Sequence, residues 1–336
     1  MRILVTGGAG FIGSHFVRLT LRHQDSEVVN LDALRYSGNL ENLQSVEGHP
    51  RYTFVHGDIC DAEATERVMR EYRIEAVVNF AAETHVDRSI LEPGGFVRTD
   101  VLGTMVLLEA ARAHGIRRFL QVSTDEVYGE VPTGRSSESE RLAPRSPYAA
   151  SKAGADLLAL SSFTTYGLPV LITRGCNTFG PNQYPEKFIP LFVTNALEDQ
   201  PLPLYGDGFQ QREWLYVEDH CEAIDLVLQK GAPGGIYNIG TGHEQRNKEM
   251  AEAILGLVGK PLSLIRHVTD RPGHDRRYAL NCEKLTKLGW RPRHSLEDAL
   301  AATVAWYREN PEWWRKIKSG EFRAYYEKVY GARLKG

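Results

Sequence analysis

The sequence has little cysteine, little charge imbalance and no long apolar run. Four cysteines, Cys60, Cys176, Cys221 and Cys282, are scattered through 336 residues without a CxxC pair. A zinc site needs clustered thiolates or imidazoles, so no metal is expected. Nothing in the pattern calls for disulfides, and a cytoplasmic location is expected. No apolar stretch reaches membrane-spanning length, so no membrane partner is expected. Met1-Arg2-Ile3-Leu4-Val5 enters a strand pattern at once, and no secretory leader is expected ahead of it. Forty lysines and arginines nearly balance forty-three aspartates and glutamates, for a net charge of -3. No basic run advertises nucleic acid, and no repeat or low-complexity tract demands another architecture. The length suits one large or two smaller domains with a substantial core.

What is present begins with a strand, a glycine turn and a helix. Arg2 to Val5 is β-rich, and Gly7-Gly8-Ala9-Gly10-Phe11-Ile12-Gly13 follows it. An apolar helical face through Phe16, Val17 and Leu21 leads to a second strand, Glu27 to Leu31, ending at Asp32. Gly7 permits a tight turn, Gly10 a close approach to a pyrophosphate, and Gly13 close packing of helix on sheet. Free N–H groups of the turn and the helix start, Phe11 and Ile12 included, can receive phosphate oxygens. Asp32 stands near the ~20-residue offset at which a carboxylate accepts hydrogen bonds from an adenosine ribose and repels the extra phosphate of NADP. The cofactor expected is therefore NAD. Arg35 complicates that choice, since it could hold an adenosine or be an ordinary loop residue. Asp58, followed by Ile59 at the end of the strand Tyr52 to His56, has two readings: contact with adenine, or a helix N-cap.

Further strands at Ala76 to Phe80, Arg118 to Val122 and Val170 to Arg174 alternate with helices. These are expected at Ala64 to Tyr72, about Phe96 to His114, and from Pro147 onward. That alternation predicts an α/β fold of the Rossmann type, a doubly wound parallel sheet with ligands beyond its C-terminal strand ends. At one such end lies Ser123-Thr124-Asp125-Glu126-Val127-Tyr128-Gly129, read as a loop carrying a hydroxyl and two adjacent carboxyl groups. Tyr148 and Lys152, four apart on a predicted helix, share a face. A lysine ammonium there can favour tyrosinate and hydrogen-bond the nicotinamide ribose, and the tyrosine can take a proton from a substrate alcohol.

These motifs resemble the extended short-chain dehydrogenase/reductases and, more closely, the dTDP-glucose 4,6-dehydratases. The resemblance runs through nearly the whole chain. It includes Gly38-Asn39-Leu40-Glu41-Asn42-Leu43, Ala81 to Ser89, Ser146-Pro147-Tyr148-Ala149-Ala150-Ser151-Lys152, Pro185 to Pro190, Arg212-Glu213-Trp214 and Arg271-Pro272-Gly273-His274-Asp275. It implies tightly held NAD, regenerated in each turnover, and a nucleotide-sugar substrate. Catalysis is implied for Thr124, Asp125, Glu126, Tyr148 and Lys152. Tyr148 takes the C4 hydroxyl proton, Thr124 positions the C4 oxygen, Glu126 removes the C5 proton and Asp125 protonates the departing C6 oxygen. Substrate contacts are implied for Thr84, Asn177, Lys187, Tyr205, Arg212, Asn247, Arg271 and His274, with Lys187, Arg212 and Arg271 on the phosphate side. A homodimer through a four-helix interface, from the helices near Phe96 and Pro147, is the family's usual arrangement.

The same reaction on UDP-glucose or another nucleotide-glucose stands as the nearest alternative, and 4-epimerisation or decarboxylation as a more distant one. A non-enzyme alternative is an NAD-responsive binding protein. Adjacent Asp125 and Glu126 favour dehydration, which needs an acid and a base beyond Tyr148. Two departures from the family pattern stand out: Thr178, Phe179 and Asn182 in the turn-rich stretch 177–185, and Asp100 where relatives carry Asn. Asp100 lacks an amide donor, so a changed hydrogen-bond arrangement is expected. Residues 1–175 are expected to form mainly the NAD-binding domain with the catalytic residues. Residues 176–336 are expected to form mainly a smaller mixed α/β sugar-nucleotide domain, with segments returning to the first. The aromatic tail, Trp306 to Tyr330, is expected to pack on the body or a subunit interface rather than on nucleic acid.

Overall fold

A computed structural model of the chain describes residues 1–23, 25–331 and 333–334. Positions 24, 332, 335 and 336 of the two expected domain spans lie outside the described residues. Twelve strands occur among them: β1 Arg2–Thr6, β2 Glu27–Asp32, β3 Tyr52–His56, β4 Ala76–Asn79, β5 Arg118–Thr124, β6 Val170–Gly175, β7 Asn177–Phe179, β8 Leu202–Tyr205, β9 Gln211–Tyr216, β10 Gly235–Ile239, β11 Glu244–Arg246 and β12 Ile265–Val268. Seven of these form one parallel sheet in the order β10-β6-β5-β4-β1-β2-β3. Its first six strands have the doubly wound order, and the chain reverses direction across the sheet between β1 and β4, where such folds open a ligand crevice.

Covered on both faces, the central strands read as continuous apolar runs. Ile3, Leu4 and Val5 are fully buried, as are Val77 and Val78 beside them. Each such side chain contributes roughly 1.5–3 kcal/mol of burial free energy. Gly7, at φ +69°, turns the chain off β1, and a Cβ there would lie 2.7 Å from the Ala81 nitrogen after β4. The first turn thus closes against the next strand end, which only glycine allows.

The helix Pro147–Tyr166 starts where its sequence directs. Ser146 accepts from the Ala149 N–H at 3.1 Å, Pro147 occupies the first turn, and Gly167 closes the end in the left-handed conformation. The long helix expected from Phe96 is composite. Pro93–Phe96 and Thr104–Ala113 are α-helical, and Val97–Gly103 between them is π-helical. Such a widened turn is uncommon and concentrates at functional sites. The helix Val217–Lys230 packs on the helix Phe11–His23, and β10 joins the parallel sheet beside β6.

The remaining strands make two small sheets, β11-β9-β7 and β12-β8. The stretch 177–179, expected as turn, is strand β7 paired with β9. The loop expected after β5 is a one-turn 3₁₀ helix, Asp125–Tyr128. Thr124 caps it by accepting the Glu126 N–H, and Gly129 at φ +74° ends it. A second apolar core joins Phe192, Trp214 and Ile254 to the tail residues Tyr307, Trp313, Trp314 and Phe322. Trp314 donates to the Tyr307 carbonyl at 2.8 Å and Trp313 to Asn42 at 3.1 Å, so the aromatic tail packs on the body as expected.

Candidate active site

One cavity runs along the C-terminal strand ends. It is lined by Gly7, Gly10, Phe11, Ile12, Gly13, Asp32, Asp58, Ile59, Thr84, Thr124, Asp125, Glu126, Tyr148, Lys152, Asn177 and Lys187. Every expected cofactor-side and catalytic residue therefore borders one space, together with three of the eight expected substrate residues. Tyr205, Arg212, Asn247, Arg271 and His274 do not border that cavity.

At the cofactor end, Asp32 accepts from the Ala9 N–H and the Leu34 N–H, both at 2.8 Å. Burial raises its pKa and those two bonds oppose the rise. Asp58 is not the helix cap: Asp61 caps Ala62–Glu71, and Asp58 instead accepts from the Cys60 N–H and pairs with Arg35 at 2.8 Å. Arg35 also faces Glu83 at 3.9 Å, so two carboxylates flank its charge at the adenosine end. A Cβ at Gly13 would lie 2.9 Å from the Gly8 Cα. The cradle is thus closed by backbone alone, which fits a pyrophosphate.

The chemical centre is built where β5 ends. The Thr124 hydroxyl donates to Asp125 Oδ1 at 3.2 Å and favours the ionised form of Tyr148. Asp125 Oδ2 is buried without a partner. Burial, then the Glu126 charge, push the Asp125 pKa well up, which favours its protonated form. Burial also raises Glu126, but Arg271, Arg212 and Lys187 all pull it back down. The two adjacent carboxyls therefore sit in unlike fields, the condition for dividing acid and base work.

Tyr148 lies near two acids. Burial, then Glu126 and Asp100, raise its pKa well above that of a free phenol. Lys152 is engaged with the strand end. Its ammonium donates to the Val122 carbonyl at 2.7 Å, and the charges acting on it are Asp100 and Asp156. In this state the phenol is the proton-holding form, and Thr124 is the group that favours its ionisation.

The substrate-side residues form a linked shell beyond this centre. Lys187 donates to the Thr84 carbonyl. Arg212 donates to the Gln211 and Asp275 carbonyls, each at 2.8 Å, and stacks 4.2 Å over Tyr278. Arg271 faces Asp87 at 3.5 Å and keeps a buried, unpartnered Nε. Tyr205 donates to Asp87 at 3.2 Å and accepts from Arg333 at 3.0 Å. His274 sits 2.6 Å from Asp270, and burial with Arg271 and Arg212 lowers its pKa to about 3. Asn177 and Asn247 each keep a buried, unpartnered Oδ1. Arg88 went unassigned in the sequence. Its guanidinium lies between Tyr36 and Tyr325, at 4.1 and 4.2 Å, and pairs with Glu186 at 2.8 Å. Its partners come from three distant segments, so no local spacing points to it.

Comparison with known proteins agrees with this geometry. The family described as GDP-mannose 4,6 dehydratase matches residues 4–303. A dTDP-glucose 4,6-dehydratase of Streptomyces niveus is 53% identical over 95% of this chain and 96% of its own length. A crystal structure of a dTDP-glucose 4,6-dehydratase from Streptomyces venezuelae with NAD bound is similar with TM-score 0.93 and 53% identity, covering 95% of this chain and all of that one. A UDP-glucose 4-epimerase of Thermus thermophilus with NAD is similar with TM-score 0.87 and 36% identity, covering 92% of this chain and all of that one.

Proposed function

The chain belongs to the GDP-mannose 4,6 dehydratase family, and we propose that within it the reaction is NAD-dependent dehydration of dTDP-glucose to dTDP-4-keto-6-deoxyglucose. The observation that carries this is the adjacent pair of buried Asp125 and half-buried Glu126, in unlike electrostatic surroundings beside Tyr148. Epimerisation at C4 needs no acid and base of this kind.

The residues at the cofactor end suit NAD. The glycine turn leaves room for a pyrophosphate, and Asp32 presents a carboxylate for a ribose. Bound NAD supplies the acceptor for the C4 hydride and the donor of hydride to C6, so no net redox change remains.

The side chains do the proton work. Tyr148 must first release its own proton; as phenolate it takes the proton of the C4 hydroxyl, and Thr124 hydrogen-bonds the same oxygen. A C4 carbonyl makes the C5 hydrogen acidic. Glu126, whose pKa burial raises and Arg271, Arg212 and Lys187 pull back toward the carboxylate, removes it. Asp125 gives its proton to the C6 oxygen, which leaves as water. A proton then returns to C5. Lys187, Arg212 and Arg271 carry positive charge suited to a diphosphate, with Arg271 Nε the donor still free of a protein partner. Asn177 and Asn247 offer unpartnered amide oxygens for the sugar nucleotide, with Thr84, Tyr205 and His274 completing that side. Residues 1–175 mainly serve the cofactor and 176–336 mainly the sugar nucleotide, with β10 and the helix Val217–Lys230 returning to the first.

A homodimer extends this reading. Val97, Met105 and Leu157 remain 56%, 42% and 57% exposed on two neighbouring helical segments. Apolar side chains so placed favour a symmetric contact with a second copy. No helix among the described residues is long and apolar enough to cross a membrane. The four cysteines are free, in keeping with the cytoplasm as the working compartment.

The test is incubation of the purified protein with dTDP-glucose, read by mass spectrometry and NMR. Loss of one water with a 4-keto-6-deoxy product is expected. An epimer of unchanged mass would overturn the proposal.

A further inference from the structure

One polar group on the cavity wall has no part in the steps above. His220 lies in the first turn of the helix Val217–Lys230 and lines the cavity. The residue is 2% exposed. Nδ1 is 2.7 Å from the Thr178 hydroxyl, which also lies 3.2 Å from the Cys176 carbonyl. Nε2 is buried with no hydrogen-bond partner. A buried ring nitrogen is costly unless something supplies that partner.

The backbone makes room for this ring. A Cβ on Gly175 would lie 2.7 Å from His220 Nε2. Gly175 ends β6 and pairs in register with Thr124 at the end of β5. Burial lowers the His220 pKa to about 4, so the imidazole is neutral at pH 7 and offers a lone pair or an N–H rather than a charge.

The strand order gives this nitrogen an address. Asp32 ends β2, the glycine turn follows β1, Thr124 ends β5 and Gly175 ends β6. A dinucleotide with its ribose at Asp32 and its pyrophosphate at the glycine turn extends toward β5 and β6 with its nicotinamide end. We propose that His220 is a cofactor-binding residue whose Nε2 hydrogen-bonds the nicotinamide carboxamide, with Thr178 fixing the ring through Nδ1. The inference rests on the reading of NAD as cofactor. A carboxamide carries both N–H donors and a carbonyl acceptor, so it matches either tautomer of the ring.

The test is calorimetric binding of NAD and of ADP-ribose, which lacks nicotinamide, to full-length protein stripped of cofactor. Wild type is expected to bind both; failure to bind either would overturn the NAD reading itself and with it this inference. His220→Phe keeps a ring and removes both nitrogens. His220→Asn keeps a polar atom near Nδ1 only. Both are expected to weaken NAD on the order of five- to tenfold and leave ADP-ribose unchanged. His220→Gln, whose amide reaches toward Nε2, is expected to regain part of the loss. Thr178→Val is expected to show a smaller loss of the same NAD-only kind. ADP-ribose binding reports that each variant is folded, and His220→Asn decides the matter where the Phe ring does not fit. Unchanged NAD affinity in the decisive variant, or equal losses for both ligands, would overturn the assignment.

Discussion

The Ser151 hydroxyl donates to Asp100 Oδ2 at 2.6 Å, within the π-helical stretch that faces the helix Pro147–Tyr166. Asp100 Oδ1 accepts from the Glu83 N–H at 2.8 Å. One carboxylate thus ties the segment after β4 to the residue before Lys152. It also contributes negative charge to the surroundings of Lys152 and Tyr148.

Burial raises the Asp100 pKa from 3.8 to about 6. The folded chain therefore takes up this proton at higher pH than the unfolded chain does. Between pH 3.8 and about 6 the contribution of Asp100 to stability falls as pH rises, because the native state must ionise a buried acid. Asp100→Asn keeps the acceptor for Glu83, and Ser151 can turn to accept from the new amide while donating to the Tyr148 carbonyl. The variant is expected to be about 1–3 kcal/mol more stable than wild type at pH 8, with little difference at pH 4. Urea unfolding at the two pH values checks this; an equal shift at both would contradict the titration.

Removing Arg271 strips a cation from Glu126 and a donor from the proposed diphosphate side. Arg271→Ala is expected to raise KM for dTDP-glucose by about tenfold or more. Arg271 lowers the Glu126 pKa, so its loss raises that pKa and moves the acid limb of the kcat profile to higher pH. Steady-state kinetics across pH checks both. A KM rise with an unmoved acid limb would leave Arg271 as a binding group alone.

Asp125→Asn removes the proposed acid and leaves the proposed base. Product formation is expected to fall by about 10²–10⁴-fold. Exchange of the C5 hydrogen with solvent deuterium is expected to continue, because Glu126 remains. NMR of recovered dTDP-glucose checks the exchange, and its loss would show that Asp125 and Glu126 do not divide the work.

Much of this was legible in the sequence. The glycine turn, Asp32, the strand-helix alternation and the Tyr148/Lys152 pair each rest on local spacing, and each stands where the spacing puts it. The turn after β5 and strand β7 were not legible as such. The first depends on a Thr124 cap, and the second on pairing with β9, which lies far along the chain. The π-helical stretch shows no break in apolar periodicity. His220 and Arg88 acquire their surroundings only from tertiary packing. The Lys152 ammonium donates to the Val122 carbonyl, a partner that only tertiary packing supplies.

The proposed dimer rests on the exposed apolar side chains of two helical segments. Leu157→Glu places a charge in that contact twice, once per copy. Light scattering is expected to find wild type dimeric at micromolar concentration, and the variant's dimer weakened by roughly 100-fold. A monomeric wild type would remove this surface as an interface.

The elimination centre itself is tested most directly by Glu126→Gln with dTDP-glucose in D₂O, read by NMR and mass spectrometry. Wild type is expected to give the 4-keto-6-deoxy sugar with deuterium at C5. The variant is expected to give neither dehydrated product nor C5 deuterium, while still binding substrate. Full turnover by Glu126→Gln, with deuterium at C5 as in wild type, would contradict the assignment of Glu126 as the base.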